Sequence, residues 1–170
     1  MLKYYAGIGS RETPSHILDL MSKIAMKLAF KGFILRSGGA DGADTAFQHG
    51  AEMAYGAMNI YYAKSIDTSL CGDEAMALAK KYHKAWHRMG SYAHKLHGRN
   101  AFQILGSDLK TPSSFVICWT KDGCTHHNER TIATGGTGTA ISIASMNNIP
   151  VFNLAKEEHL IRVKTRLEIK

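Results

Sequence analysis

The chain has 170 residues, 45% hydrophobic and 21% charged, with a net charge of +7 from 21 Lys and Arg against 14 Asp and Glu. This length suffices for one domain with a real core, and the composition is that of an ordinary globular protein. No run approaches the roughly 18 apolar residues that a membrane span needs, so a helical membrane protein is excluded. The three cysteines, Cys71, Cys118 and Cys124, are an odd set without metal-ligand spacing and fit free thiols in a reducing compartment. Met1 to Tyr5 runs straight into Gly7, so no signal peptide is expected and a cytoplasmic location is. The basic balance favours an anionic partner (a nucleotide, a nucleic acid or a phosphorylated metabolite) or serves solubility alone.

Residues 2–6 are short and aromatic and predict a buried first strand. Gly7-Ile8-Gly9-Ser10-Arg11 is the first strand-to-helix turn. Pro14 suits the first turn of a helix, with Thr13 or Ser15 as its cap. Ile17, Leu18, Met21, Ile24, Ala25, Leu28 and Ala29 then recur three and four apart, as an amphipathic helix requires, and Gly32 ends it. Residues 33–36 predict the second strand. Ser37-Gly38-Gly39-Ala40-Asp41-Gly42-Ala43-Asp44 makes a second glycine turn, opening a helix to about Tyr55. Residues 59–63 read as a third strand. Connections this long exclude hairpins and imply parallel strands with right-handed crossovers, a Rossmann-like half.

Two helical stretches follow, residues 74–89 and 92–105, separated by Gly90. They carry the clearest charge cluster of the chain: Lys80, Lys81, His83, Lys84, His87, Arg88, His94, Lys95, His97 and Arg99. The cluster reads as a solvated face or as a track for a phosphate chain. Residues 114–119 are apolar and β-prone and predict a central fourth strand. Residues 120–134 are a polar excursion with a hairpin-like turn at Asp122-Gly123. Gly135-Gly136-Thr137-Gly138-Thr139 is the third glycine turn, followed by a helix through Met146, a fifth strand over 149–153 and a terminal helix over 157–170. The expected architecture is a single α/β domain, a Rossmann-like three-layer sandwich with a mostly parallel sheet of about five strands.

All three glycine turns follow strands, and in an open parallel sheet the carboxyl ends of strands share one edge. The turns therefore converge on one ligand site. Its expected donors are backbone N–H groups and the hydroxyls of Ser10, Ser37, Thr137 and Thr139, which suit a phosphate or a ribose. Asp41 and Asp44 sit at a helix start, as caps or as a ribose acceptor and general base, with Asp41 the ligand-facing one. Trp119 ends a strand, where its ring either stacks on a base or belongs to the core. His126 and His127 lack metal-site spacing, so neither a metal nor a cofactor is expected.

These turns, together with Ala46, His49-Gly50-Ala51, Arg99-Asn100-Ala101 and Ile149-Pro150-Val151-Phe152, resemble the core of the DNA-processing protein A (DprA) and lysine-decarboxylase-like (LOG, SLOG) superfamily. The resemblance spans roughly residues 4–154. It implies a nucleotide-like small-molecule ligand, with Gly9, Ser10, Arg11, Ser37, Gly38, Gly39, Asp41, Arg99, Asn100 and Gly135 to Thr139 around it. It also implies homo-oligomers with shared sites, and a small stand-alone form of phage origin. LOG-type phosphoribohydrolases carry a Glu beyond the last glycine motif; here Ser142 stands in its place, leaving Asp41, Asp44 or Glu129 as catalytic candidates for N-glycosidic cleavage. The expected function is binding of a nucleotide or nucleotide-derived molecule, with sequestration of such a signal as one form and hydrolysis as another. Single-stranded nucleic-acid binding of the DprA type and an oligomeric scaffold with a vestigial site are the alternatives.

Overall fold

The computed structural model describes residues 1–170. Its sheet is built from β1 (Lys3–Gly7), β2 (Phe33–Ser37), β3 (Met58–Ile60), β4 (Val116–Cys118) and β5 (Val151–Asn153), in the order β3-β2-β1-β4-β5. Every pair is parallel, with Tyr5 opposite Leu35 and Gly7 opposite Ile117 fixing the central register. The chain leaves β1 in one direction and returns on its other side as β4. That reversal creates a topological switch point at the carboxyl ends of β1 and β4.

Helices cover both faces. α1 (Ser15–Phe30), α2 (Ala43–Met53) and α6 (Glu157–Leu167) bury Tyr5, Met21, Ile24, Phe47 and Leu154 on one side. On the other, α3 (Gly72–Lys81), α4 (Ser91–Leu105) and α5 (Thr137–Met146) bury Phe102, Ile104, Ile141 and Ile143. Successive strand residues feed opposite cores: Tyr5 the first and Ala6 the second. Phe47 is fully buried, and truncating such a ring to Ala costs about 3–5 kcal/mol. α1 and α2 meet at Gly50, where an added Cβ would lie 2.0 Å from the Ser22 carbonyl oxygen. Arg36 is buried as well. It donates through Nη1 to the Thr111 carbonyl at 2.6 Å and stacks 3.8 Å from the Tyr4 ring, tying β2 to the segment after α4.

Several expectations shift locally. Pro14 sits just before α1, and neither Thr13 nor Ser15 caps it; the Thr13 hydroxyl donates to the Ser10 carbonyl instead. The third strand is only Met58–Ile60, and the chain then enters a 3-10 turn over Ala63–Thr68. The expected helix over 74–89 breaks after Lys81 and resumes as a 3-10 turn, Trp86–Arg88. The polar excursion forms no hairpin. It folds around Asp122, whose carboxylate accepts from the hydroxyls of Thr120, Thr131 and Thr134 and from the Cys124 N–H. No helix is long and apolar enough to cross a membrane.

Candidate functional site

A cleft of about 360 Å³ opens at the switch point. Its walls are Ile8 to Arg11 after β1, Ala40 and Asp44 at the start of α2, one face of α4, and Thr134 to Thr137 leading into α5. From α4 come Leu96, His97, Arg99, Asn100 and Gln103, a three-and-four spacing that places all five side by side. A depression of about 480 Å³ on α6, between Leu160 and Lys170, is shallower and gathers no comparable set of convergent polar groups.

Asp44 organises the floor. The residue is 4% exposed, and its Oδ2 accepts from the N–H groups of Gly38 at 3.2 Å and Ala40 at 3.3 Å. The Gly9 N–H adds a third backbone interaction with the carboxyl. Burial raises this carboxyl to about 6, against the opposing pull of Arg99 and of the three N–H groups. The glycine turn that was expected to cradle a phosphate thus has those N–H groups filled by the chain's own carboxylate. Gly38 has no room for more: an added Cβ would fall 2.2 Å from Gln103 Nε2, 2.8 Å from Asp44 Oδ2 and 2.9 Å from Arg99 Cζ.

Arg99 bridges α4 to this turn by donating from Nη1 to the Gly38 carbonyl at 2.6 Å, while its Nε is buried without a partner. Burial lowers its pKa, and the neighbouring Asp44 opposes that fall. Asn100 donates to the Gly136 carbonyl at 3.2 Å and so ties α4 to the third glycine turn. At that turn α5 begins with no side-chain cap, and the N–H groups of Gly136 and Thr137 have no intramolecular acceptor. Orphan donors at a helix start favour a negatively charged group.

His97 closes the site from α4. Its Nδ1 lies 2.9 Å from the Thr139 hydroxyl, and its ring meets His83 edge-on with centroids 4.3 Å apart. Burial, reinforced by His83, Arg130, Arg99 and His94, holds its pKa near 4, so the imidazole is neutral at neutral pH.

The remaining expected residues lie elsewhere or serve the fold. Asp41 is exposed and does not line the cleft, so Asp44 and not Asp41 faces it. Ser37 is fully buried and donates to the Gly7 carbonyl at 2.7 Å; Thr139 is fully buried against His97. Neither hydroxyl is offered to a ligand. Gly39 packs under Tyr62, and Gly138 lies beneath the Arg130 guanidinium. Trp119 is half-buried against the core beneath α1, α2 and α6 and does not line the cleft; its backbone lies close to Gly9. Glu129 is exposed on the β4–α5 connection, where Oε2 accepts from the Thr125 N–H and hydroxyl. Ser142, at the position where the LOG pattern has a Glu, is fully buried; its hydroxyl oxygen accepts from Arg130 Nη1 at 3.1 Å and lies 2.8 Å from His127 Nδ1. The sequence pattern places His97 on a charged face and does not single out Leu96, Gln103 or Thr134; the three-and-four spacing from Leu96 to Gln103 is the signal that groups the α4 residues. No cluster of three or more His, Cys, Asp or Glu side chains is placed to hold a metal.

Fold and site together define a doubly wound parallel α/β protein with a polar, arginine-bearing cleft at its switch point. No family model, no curated protein and no solved structure matches the chain.

Proposed function

We propose that this cleft binds a nucleotide or nucleotide-derived small molecule, and that the chain is a small stand-alone relative of the DprA and LOG proteins. The observation that carries the reading is the convergence of Arg11, Arg99 and the uncapped start of α5 on one cleft beside the Asp44 carboxylate. Two guanidiniums and a helix start suit a phosphate; a carboxylate beside them suits a sugar hydroxyl. Binding is favoured over turnover. Of the three catalytic candidates only Asp44 borders the cleft, and it is engaged by backbone N–H groups. Residual hydrolysis of an N-glycosidic bond would have to use Asp44 to orient water. In the cell, such a protein acts as a sequestering agent in the cytoplasm, as a homo-oligomer, with a phage as its source. Native mass spectrometry of the purified chain and calorimetric titration with nucleoside monophosphates, ADP-ribose and NAD test the proposal. A bound mass or saturable heat is expected; finding neither removes the reading.

A second reading has one observation of its own. Lys80, Lys81, Lys84, His87 and Arg88 are all exposed along the end of α3 and the 3-10 turn after it. Such a stretch fits a single-stranded nucleic-acid backbone, and it predicts affinity that falls steeply as salt rises. A gel shift that is absent or indifferent to salt rules it out.

A further inference from the structure

We infer that the end of the molecule opposite the cleft is a docking surface for an anionic lipid bilayer. In a parallel sheet the amino ends of the strands and the carboxyl ends of the crossover helices share one edge. Here that edge carries the start of β1 and the ends of α1 and α2.

Large apolar side chains stand out from it. Phe30, the last residue of α1, is 72% exposed; Met53, the last of α2, is 58% exposed; Tyr55, just beyond it, is 99% exposed; Leu2, just before β1, is 67% exposed. Contacts as well as topology bring them to one end. An added Cβ on Gly56 would lie 2.6 Å from the Ala29 Cβ, which sets Tyr55 beside the end of α1. Lys3 pairs with Phe33, so the start of β1 lies next to the same turn. Apolar residues scattered singly over a surface are ordinary, whereas a set gathered at one end marks an interaction face.

Tyr55 adds a second observation. Its φ is 50°, in the left-handed region, at a place after a helix where glycine is the usual residue. The chain holds a bulky residue there against backbone strain and buries none of its ring in return. Burial against something outside the chain supplies that return.

Charge selects the occupant. Lys3, Lys27 and Lys31 are exposed around these side chains, whereas the ends of α1 and α2 carry one acid, Glu52, which accepts from Gln48. Lys27 and Lys31 sit at the carboxyl end of α1 and offset its negative helix end. Lysines around protruding Phe, Tyr, Leu and Met make an interfacial anchor: the apolar groups enter the boundary between headgroups and acyl chains, and the ammonium groups meet lipid phosphates. A docked peptide needs a groove, and the two cavities described above lie at the cleft and on α6. Side chains that project this far suit a deformable bilayer. No helix is long enough to span it, so the attachment is peripheral, and it leaves the cleft at the other strand ends facing solvent.

Co-sedimentation of the full chain with vesicles of phosphatidylcholine containing about 30% phosphatidylglycerol, and with phosphatidylcholine alone, tests this. Partition into the anionic vesicles should be at least about tenfold the stronger and should weaken as salt rises. Tyr55→Gly combined with Phe30→Ser should reduce it at least about tenfold. Tyr55→Gly also relieves the backbone, and the Phe30 ring is mostly exposed, so a folding defect does not mimic the result. Ile132→Ser removes a fully exposed apolar group from the β4–α5 connection and should leave partition unchanged. No partition into the anionic vesicles, or a double variant that partitions as the wild type does, overturns the inference. Retention on poly-glutamate resin without vesicle binding also overturns it and assigns the face to an acidic protein.

Discussion

Asp44→Asn isolates the most unusual group in the structure. The wild-type carboxyl is buried and raised from 3.8 to about 6. At 1.36 kcal/mol per tenfold change in proton affinity, that difference amounts to about 3 kcal/mol. The native state binds this proton more tightly than the unfolded chain does. Protonation therefore adds stability that is complete below pH 3.8 and is lost as pH rises through about 6. The amide does not titrate, yet it retains one oxygen to accept from Gly38 and Ala40. The remaining titratable groups are common to both proteins and cancel to first order. Urea unfolding of wild type and variant at pH 7.5, 6, 5 and 4 should show the wild type gaining on the variant by about 2–3 kcal/mol as pH falls. Parallel curves, or a wild type that loses ground to the variant on acidification, would refute the burial argument.

His97→Gln probes the opposite sign. The folded pKa near 4 lies below the ordinary 6.5, so wild-type stability is present above pH 6.5 and is lost as pH falls toward 4. Relative to the glutamine variant, urea unfolding should show the wild type weakening on the order of 2 kcal/mol across that window, partial exposure having screened some of the effect. Gly38→Ala pushes a methyl into Gln103, Asp44 and Arg99 at once. It should cost about 1–3 kcal/mol in denaturant unfolding and weaken nucleotide binding at least about tenfold by calorimetry. Ser142→Ala removes the hydroxyl that bonds both Arg130 and His127; a loss of about 1–3 kcal/mol is expected in the same unfolding assay.

The alternation of apolar runs with amphipathic helices was enough to anticipate the five-stranded parallel sheet and its crossovers, because hydrophobic period and connection length are local properties. Element ends were less legible. The helix expected over 74–89 breaks at Tyr82, where packing against His127 and the Arg130 contact with its carbonyl compete with helix continuation. The third strand stops at Ile60, short of the Tyr61 and Tyr62 that the apolar run had included. At the site, the turns near Gly9 and Gly135 were visible as glycine patterns, and both border the cleft. What the pattern could not convey was that Asp44 folds back onto the Gly38 and Ala40 N–H groups, since this depends on the rotamer of one buried side chain. Nor could it separate Asp41 from Asp44: three residues apart at a helix start, one ends exposed and the other buried at the floor of the cleft. Asp122 gathers three threonine hydroxyls from residues up to 12 apart, a closure that no short-range rule anticipates.

Backbone amide mapping by NMR during titration with AMP tests the central claim most directly. Saturable shifts are predicted at Gly9 to Arg11, at Arg99 and Asn100, and at Gly136 and Thr137, the segments that converge on the cleft. Shifts confined to the exposed basic stretch Lys80 to Arg88 or to the α6 depression, or no saturable shift at all, would contradict it.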